Sequence, residues 1–243
     1  MADGSGAWLS LFSGGKDSAW ALYAALEQGR TVERLVTVHP PADSYLYHVP
    51  ATELVSHASQ SIGIPVSTID ADRFPALTTD DSTQRGAMEL EPLESRLGEI
   101  ADSMDRKLGG LVAGAVASEY QADLLEGICD RLGCDLDTPL WQADPRSAAT
   151  AMLDAGFEIV IVAVAAAGLD QSWLGRRIDE RALEELEALG DSHGVHLLGE
   201  GGEFETLVVD GPHMNQRIDI EFEREWDGTR GELRITDAAL GSR

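Results

Sequence analysis

Ser13-Gly14-Gly15-Lys16-Asp17-Ser18 follows the apolar run Ala7-Trp8-Leu9-Ser10-Leu11-Phe12 and opens a helical pattern marked by Ala19, Leu22, Tyr23 and Leu26. This is the order of a strand, a tight turn and a helix start. Two adjacent glycines allow a backbone to approach an oxyanion closely, and the free N–H groups and positive dipole end of a helix start favour phosphate. Lys16 adds a full positive charge. A Walker A loop is excluded, because Ser10 stands where its first glycine belongs and Asp17 follows the lysine. Asp17 has two readings, a ligand acting through a magnesium ion or an acidic residue placed favourably in a first helical turn.

The loop SGGKDS resembles the pyrophosphate loop of ATP pyrophosphatases, enzymes that cleave ATP between its α and β phosphates and activate a substrate as its adenylate. The plainer account is a glycine-rich turn without chemical consequence. Six consecutive matching residues in a first βα turn outweigh it.

Outward from the loop, strand-like and helix-like patterns alternate, as in a mostly parallel sheet with helices on its faces. Strands are expected over Leu35–His39, Val66–Ile69 and Gly110–Val116. Helices are expected from about Thr52 to Ile62, ended by Gly63, and from Glu91-Pro92 with Leu93, Leu97, Ile100, Met104 and Leu108 on one face. A further helix runs from Ser118 to about Leu132, where Ser118 and Gln121 have the spacing of a capping box. Asp137-Thr138-Pro139-Leu140-Trp141 then reads as a boundary, dividing the chain into a nucleotide-binding domain, 1–136, and a substrate-side domain, 137–243. In the second part Asp144-Pro145 caps a helix, Phe157–Ala165 is an apolar strand, and Ser172–Leu189 reads as one long charged helix. The end alternates, with Ile218, Ile220 and Phe222 and then Leu233 and Ile235, as half-exposed antiparallel strands do. The expected fold class is α/β: a Rossmann-like parallel sheet with flanking helices, of the ATP pyrophosphatase type, plus a smaller α+β C-terminal part.

The charge balance is unusual for 243 residues of otherwise ordinary globular composition: 43 Asp and Glu against 18 Lys and Arg give a formal net charge of -25. The acidic residues are spread along the whole chain, which argues against direct contact with nucleic acid or an anionic membrane. A halophile's cytoplasmic protein accounts for it, since molar salt shortens the screening length to about 3 Å and makes such self-repulsion tolerable. Cys129 and Cys134 form neither a CxxC pair nor a zinc ligand set, and are expected to stay reduced. No stretch is long and apolar enough for a membrane span, and no basic-then-apolar leader opens the chain. The sequence leaves a homo-oligomer open.

Gly199-Glu200-Gly201-Gly202-Glu203-Phe204-Glu205-Thr206 is the second chemical signal. An extended backbone from Glu203 onward puts Glu203 and Glu205 on one face and Phe204 and Thr206 on the other. By composition alone this is an acidic turn in an acidic protein. Like charges at i and i+2 cost stability unless a cation or donor joins them, and the glycines permit a close approach there.

SGGKDS, Tyr45-Leu46-Tyr47-His48-Val49-Pro50, Gly114-Ala115-Val116-Ala117-Ser118-Glu119-Tyr120-Gln121, Pro139-Leu140-Trp141, Gly168-Leu169-Asp170-Gln171-Ser172-Trp173-Leu174-Gly175-Arg176 and GEGGEFET occur in the order seen in the diphthine-ammonia ligase family. The resemblance covers about Leu9 to Pro212, and the length is similar to that of the short archaeal form. It implies the last step of diphthamide synthesis, in which the carboxylate of diphthine on translation elongation factor 2 becomes an amide at the expense of ATP and ammonium. A carboxylate is a poor acyl donor, so attack on the α phosphorus would make an acyl-adenylate and release pyrophosphate, and ammonia would displace AMP. The resemblance implies that Ser13, Gly14, Gly15, Lys16, Asp17, Ser18 and Gly114 bind the nucleotide, with Mg2+ at Asp17, and that Lys16, Asp17, Glu203 and Glu205 are catalytic. Glu203 and Glu205 either attract ammonium and take its proton, or, with Glu200, Trp141, Tyr120 or Trp173, recognise the trimethylammonium cation. Tyr47, His48 and Gln121 are substrate-side by family position. The rivals are another adenylating enzyme on this scaffold, such as one that thiolates transfer RNA, and a nucleotide-binding sensor without turnover. The first would call for a reactive cysteine and a basic surface, and neither is evident.

Overall fold

The computed structural model describes residues 6–39, 54–70, 93–114 and 119–243. Five strands form one parallel sheet: β1 (Ala7–Leu11), β2 (Thr31–His39), β3 (Val66–Asp70), β4 (Leu108–Val112) and β5 (Asp135–Asp137), in the order β3-β2-β1-β4-β5. The helices between them are α1 (Lys16–Glu27), α2 (Val55–Ile62), α3 (described over 93–102) and α4 (Glu119–Leu132). The strand order runs outward from β1 through β2 and β3, then restarts on the other side with β4. The gap between the carboxyl ends of β1 and β4 is therefore the switch point of the sheet, where open α/β folds bind ligands.

The alternation of side chains along β1 explains why both faces are covered. Trp8 faces one core and Leu9 the other, and both are buried. Leu9, Val36, Ile69, Leu97, Leu111 and Ile128 form the core on the α3 and α4 side. The opposite face carries α1, which has small buried residues at Ala19, Ala21 and Ala25 around the fully buried Leu22. That narrow helix is sandwiched against a second sheet, so truncating Leu22 to alanine would leave a cavity costing about 2–5 kcal/mol.

The second sheet is antiparallel, ordered β7-β6-β9-β8, from β6 (Glu158–Val164), β7 (Phe204–Asp210), β8 (Arg217–Trp226) and β9 (Gly231–Gly241). The helices α5 (Pro145–Asp154) and α6 (Glu180–His193) pack with it. One apolar core runs from Trp8, Phe12 and Leu22 through Ile159, Ile161 and Leu207, so both sheets share α1 as common filling. Trp20 and Tyr23 of α1 meet Phe157 at ring separations of 5.7 and 5.6 Å.

Several expected boundaries move. The helix expected to carry Met104 and Leu108 ends at 102, and Leu108 instead starts β4, because the register of β4 against β1 pairs Leu108 with Ala7. Strand character stops at Val112 rather than reaching Val116, whose own position lies outside the described residues. The expected helix over Ser172–Leu189 is two elements. Gln171–Trp173 is a short 3-10 turn capped by Asp170, after which Gly175 and Ile178 hydrogen-bond to β6. A new helix then starts behind Asp179, whose side chain accepts from Ala182 N–H. Gly63 ends α2 in the left-handed conformation and Asp144 caps α5 from the Ser147 N–H, as the sequence leads one to expect.

Candidate functional site

The loop 13–15 leaves the carboxyl end of β1 and turns into α1 at the switch point. Gly14 has φ 84, which a residue with a Cβ rarely adopts, and its carbonyl accepts from Val208 N–H at 2.9 Å. Ser18 folds back to support the loop, its hydroxyl donating to the Gly15 carbonyl at 3.0 Å and accepting from Ser13 N–H at 3.2 Å. Gly15 is the N-cap of α1 and brings no side-chain cap, and its carbonyl accepts the first intrahelical bond from Ala19 N–H at 3.0 Å.

Gly114, just past the carboxyl end of β4, closes the floor. A Cβ there would lie 2.5 Å from the Asp17 carbonyl carbon and 2.7 Å from Ser18 N, so only glycine lets β4 approach the first turn of α1 this closely. Its closeness is to the backbone beneath the loop.

The Gly199–Thr206 motif meets this loop from the second sheet. Lys16 N–H donates to the Thr206 hydroxyl at 3.1 Å, and a Cβ on Gly15 would stand 3.3 Å from the Thr206 carbonyl oxygen. The Lys16 ammonium donates to the Leu198 carbonyl at 2.5 Å and to Asp17 Oδ2 at 2.7 Å, and lies 5.8 Å from the centre of the Phe204 ring. Lys16 is 5% exposed. A lysine is rarely held so deep without paired charge and donors' partners. The only other lysine of the chain, Lys107, is exposed. The second oxygen of Asp17, Oδ1, is buried with no hydrogen-bond partner among the described residues.

Within the acidic motif the expected alternation holds: Phe204 and Thr206 are buried, while Glu203 and Glu205 are half-buried. Glu203 accepts from His196 N–H at 2.9 Å and from Gly201 N–H at 2.8 Å, one bond to each oxygen. Its carboxylate thus folds the turn that delivers the Leu198 carbonyl to Lys16. Glu205 lies on β7 opposite Ala163, and Glu200 is exposed on the turn.

Of the other candidates, Trp141 is half-buried in a turn beyond β5, its N–H donating to the Thr138 carbonyl at 3.0 Å. The next residue, Gln142, has φ 54, alone among described non-glycine residues. Trp173 is buried under the guanidinium of Arg176, 4.3 Å from its ring centre, which makes it a packing residue. Tyr120 and Gln121 fall in the first turn of α4. Tyr47 and His48 lie outside the described residues. Thr206, Phe204 and the Leu198 carbonyl are site components to which the sequence reading gave no task. The alternation that buries Phe204 and Thr206 together was the available signal.

Fold and site together define an α/β protein with a glycine-rich loop at the switch point of a parallel sheet, met by a glycine-rich acidic segment of a second sheet. The sequence matches the family models described as diphthamide synthase N-terminal domain, over residues 7–136, and diphthamide synthase C-terminal domain, over residues 144–240. The chain belongs to the diphthamide synthase family. A diphthine–ammonia ligase of Danio rerio is 29% identical over 228 residues, covering 88% of this chain and 86% of that protein. The Homo sapiens protein of the same description is 27% identical over 221 residues, covering 87% and 82%. In the longer Schizosaccharomyces pombe diphthine–ammonia ligase, 29% identical over 237 residues, the match takes in 93% of this chain and 38% of the relative. A solved structure, described as a predicted subunit of tRNA methyltransferase from Methanocaldococcus jannaschii, aligns over 85% of this chain and 97% of its own at 16% identity. The TM-score of that alignment is 0.41.

Proposed function

We propose that this chain is the ligase that converts diphthine on translation elongation factor 2 to diphthamide, using ATP and ammonium and releasing AMP and pyrophosphate. Family membership supports the overall reaction. The observation that carries the reading to this site is the direct contact between Lys16, in the loop, and Leu198 and Thr206, in and beside the acidic motif.

In this reading the amides of Gly14, Gly15, Asp17 and Ser18 and the Lys16 ammonium take the pyrophosphate as it leaves, where charge grows, while the Lys16 N–H stays on Thr206 and the Ser18 hydroxyl on the Gly15 carbonyl. Lys16 must then exchange the Leu198 carbonyl for phosphate oxygen, a short side-chain movement. Asp17 Oδ1, without a hydrogen-bond partner among the described residues, suits one bond to Mg2+. Among the described residues no group of three or more His, Cys, Asp and Glu could hold a metal, so phosphate oxygens and water would complete its shell. When bound, the ion would neutralise phosphate charge. Glu203 and Glu205 are assigned to the amine, attracting ammonium and taking its proton, and Glu203 also shapes the turn through its two backbone bonds. Glu200, Trp141, Tyr120, Gln121, Tyr47 and His48 are assigned to the modified histidine. The protein works in the cytoplasm of a salt-adapted cell; no described helix is long and apolar enough to cross a membrane.

The test is incubation with diphthine-bearing elongation factor, ATP, magnesium and ammonium, followed by mass measurement of the modified histidine. Conversion of its carboxylate to a carboxamide is expected, dependent on both ATP and ammonium. An unchanged mass, with the factor shown to carry diphthine and the enzyme folded, would contradict the assignment.

A further inference from the structure

The end of α4 carries chemistry that the nucleotide site does not use. The chain turns at Gly133, with φ 65; Cys134 N–H donates to the Cys129 carbonyl at 3.0 Å and Gly133 N–H to the Asp130 carbonyl at 3.3 Å. Those two bonds are the signature of a Schellman cap, which brings the side chains of its two outer residues together, usually as an apolar contact. Here both outer residues are cysteine.

Cys129 is 2% exposed in the core that α3 and α4 cover, and Cys134 packs against the same cluster from a half-buried position. A 3.0 Å bond from the amide of one residue to the carbonyl of the other limits the separation of their Cα atoms. It keeps them within the window of about 4.4–6.8 Å that a disulfide spans.

We propose that Cys129 and Cys134 are a dithiol modification site, oxidised by exchange with a small exogenous disulfide such as oxidised glutathione to an intramolecular bridge that staples the end of α4 to the start of β5. Cys134, the accessible partner, attacks one sulfur of the exogenous disulfide as a thiolate. This gives a mixed disulfide and expels one small thiolate, which takes a proton from water. Cys129 then gives its proton to water and attacks the Cys134 sulfur, expelling the second small thiol. Two cysteine thiols have lost two electrons and two protons, and the exogenous disulfide has become two thiols.

The division of labour follows from the surroundings. The hydrogen bond to Cys134, then burial, then the nearby charges of Cys134, Asp130 and Asp135 push the Cys129 thiol well up. The same hydrogen bond pulls Cys134 down, against burial and Asp135. The staple also bears on the site's support: the Asp137 carbonyl at the end of β5 accepts from Ala113 N–H at 3.0 Å, immediately before Gly114.

The experiment exposes the reduced, folded full chain to oxidised glutathione, quenches and unfolds it, labels free thiols with N-ethylmaleimide, and measures intact mass. The expected product is a monomer lighter by two hydrogen atoms that takes no label. Cys129→Ser should stop at one glutathione on Cys134, and Cys134→Ser should leave Cys129 reduced. Both thiols labelled after the same exposure, a glutathione on each cysteine, or a bridge only between chains would each overturn the proposal, and the wild-type arm decides it even if a serine variant fails to fold.

Discussion

The backbone N–H of Lys16 and the hydroxyl of Thr206 are hydrogen-bonded at 3.1 Å across 190 residues of sequence. The bond fastens the first turn of α1, from one sheet, to the first residues of β7 in the other. It is buried, so neither partner has water as a substitute.

Thr206→Val keeps the shape of the side chain and leaves the Lys16 N–H without its acceptor. Unfolding free energy should fall by about 1–3 kcal/mol, with a raised KM for ATP, because the loop loses its tie to β7. Thr206→Ser should restore much of both. Urea denaturation beside steady-state kinetics checks this, and a valine variant indistinguishable from wild type would remove the clamp from the account.

Lys16→Met replaces the ammonium with an apolar group of similar length in a buried position. ATP cleavage should slow by about a hundredfold or more, since one charged donor to the leaving phosphate is lost. The far-ultraviolet circular dichroism should stay unchanged. Retention of full adenylation activity would take the lysine out of the chemistry.

His213 predicts a pH dependence of stability. It is packed beside Phe157 and Tyr23, and neither ring nitrogen has a hydrogen-bond partner among the described residues. Burial first, then the charge of Arg243, lower its pKa to about 4, with Asp210 opposing. The unfolded chain therefore takes up a proton below its ordinary value of about 6.5 while the folded chain does not. The contribution is present above that value and is lost as pH falls toward 4, by about 2 kcal/mol at pH 5. His213→Phe should flatten the wild-type decline between pH 7 and 5 in urea melts; parallel declines would sink the argument.

The net charge of -25 makes salt the next lever. Melting temperature should rise from dilute buffer to molar potassium chloride as self-repulsion is screened. A maximum in dilute buffer would count against the salt-adapted reading.

The parallel sheet and the loop were legible because their signals are local: an apolar strand, two glycines and a helical period in contiguous residues. Glu203 and Glu205 were also visible as a pair, yet the backbone bonds that Glu203 makes were not. Glu203 is occupied by the His196 and Gly201 amides, one of which lies seven residues away around a turn. The join between motifs was hidden for the same reason, since nothing in SGGKDS shows that Thr206 will cap its amide. Periodicity also failed at Ser172–Leu189, where the charged pattern ran through a turn that β6 holds by backbone bonds to Gly175 and Ile178.

In the proposed reaction, loop and acidic motif make one site, with Glu205 serving the amine. Single-turnover pyrophosphate release, measured beside amide formation on diphthine-bearing elongation factor at subsaturating ammonium, tests it most directly. Wild type should show the two events coupled. Glu205→Gln should release one equivalent of pyrophosphate at near wild-type rate and form amide slowly, with the rate recovering as ammonium rises. Equal wild-type rates in both steps, or loss of pyrophosphate release itself, would contradict the account.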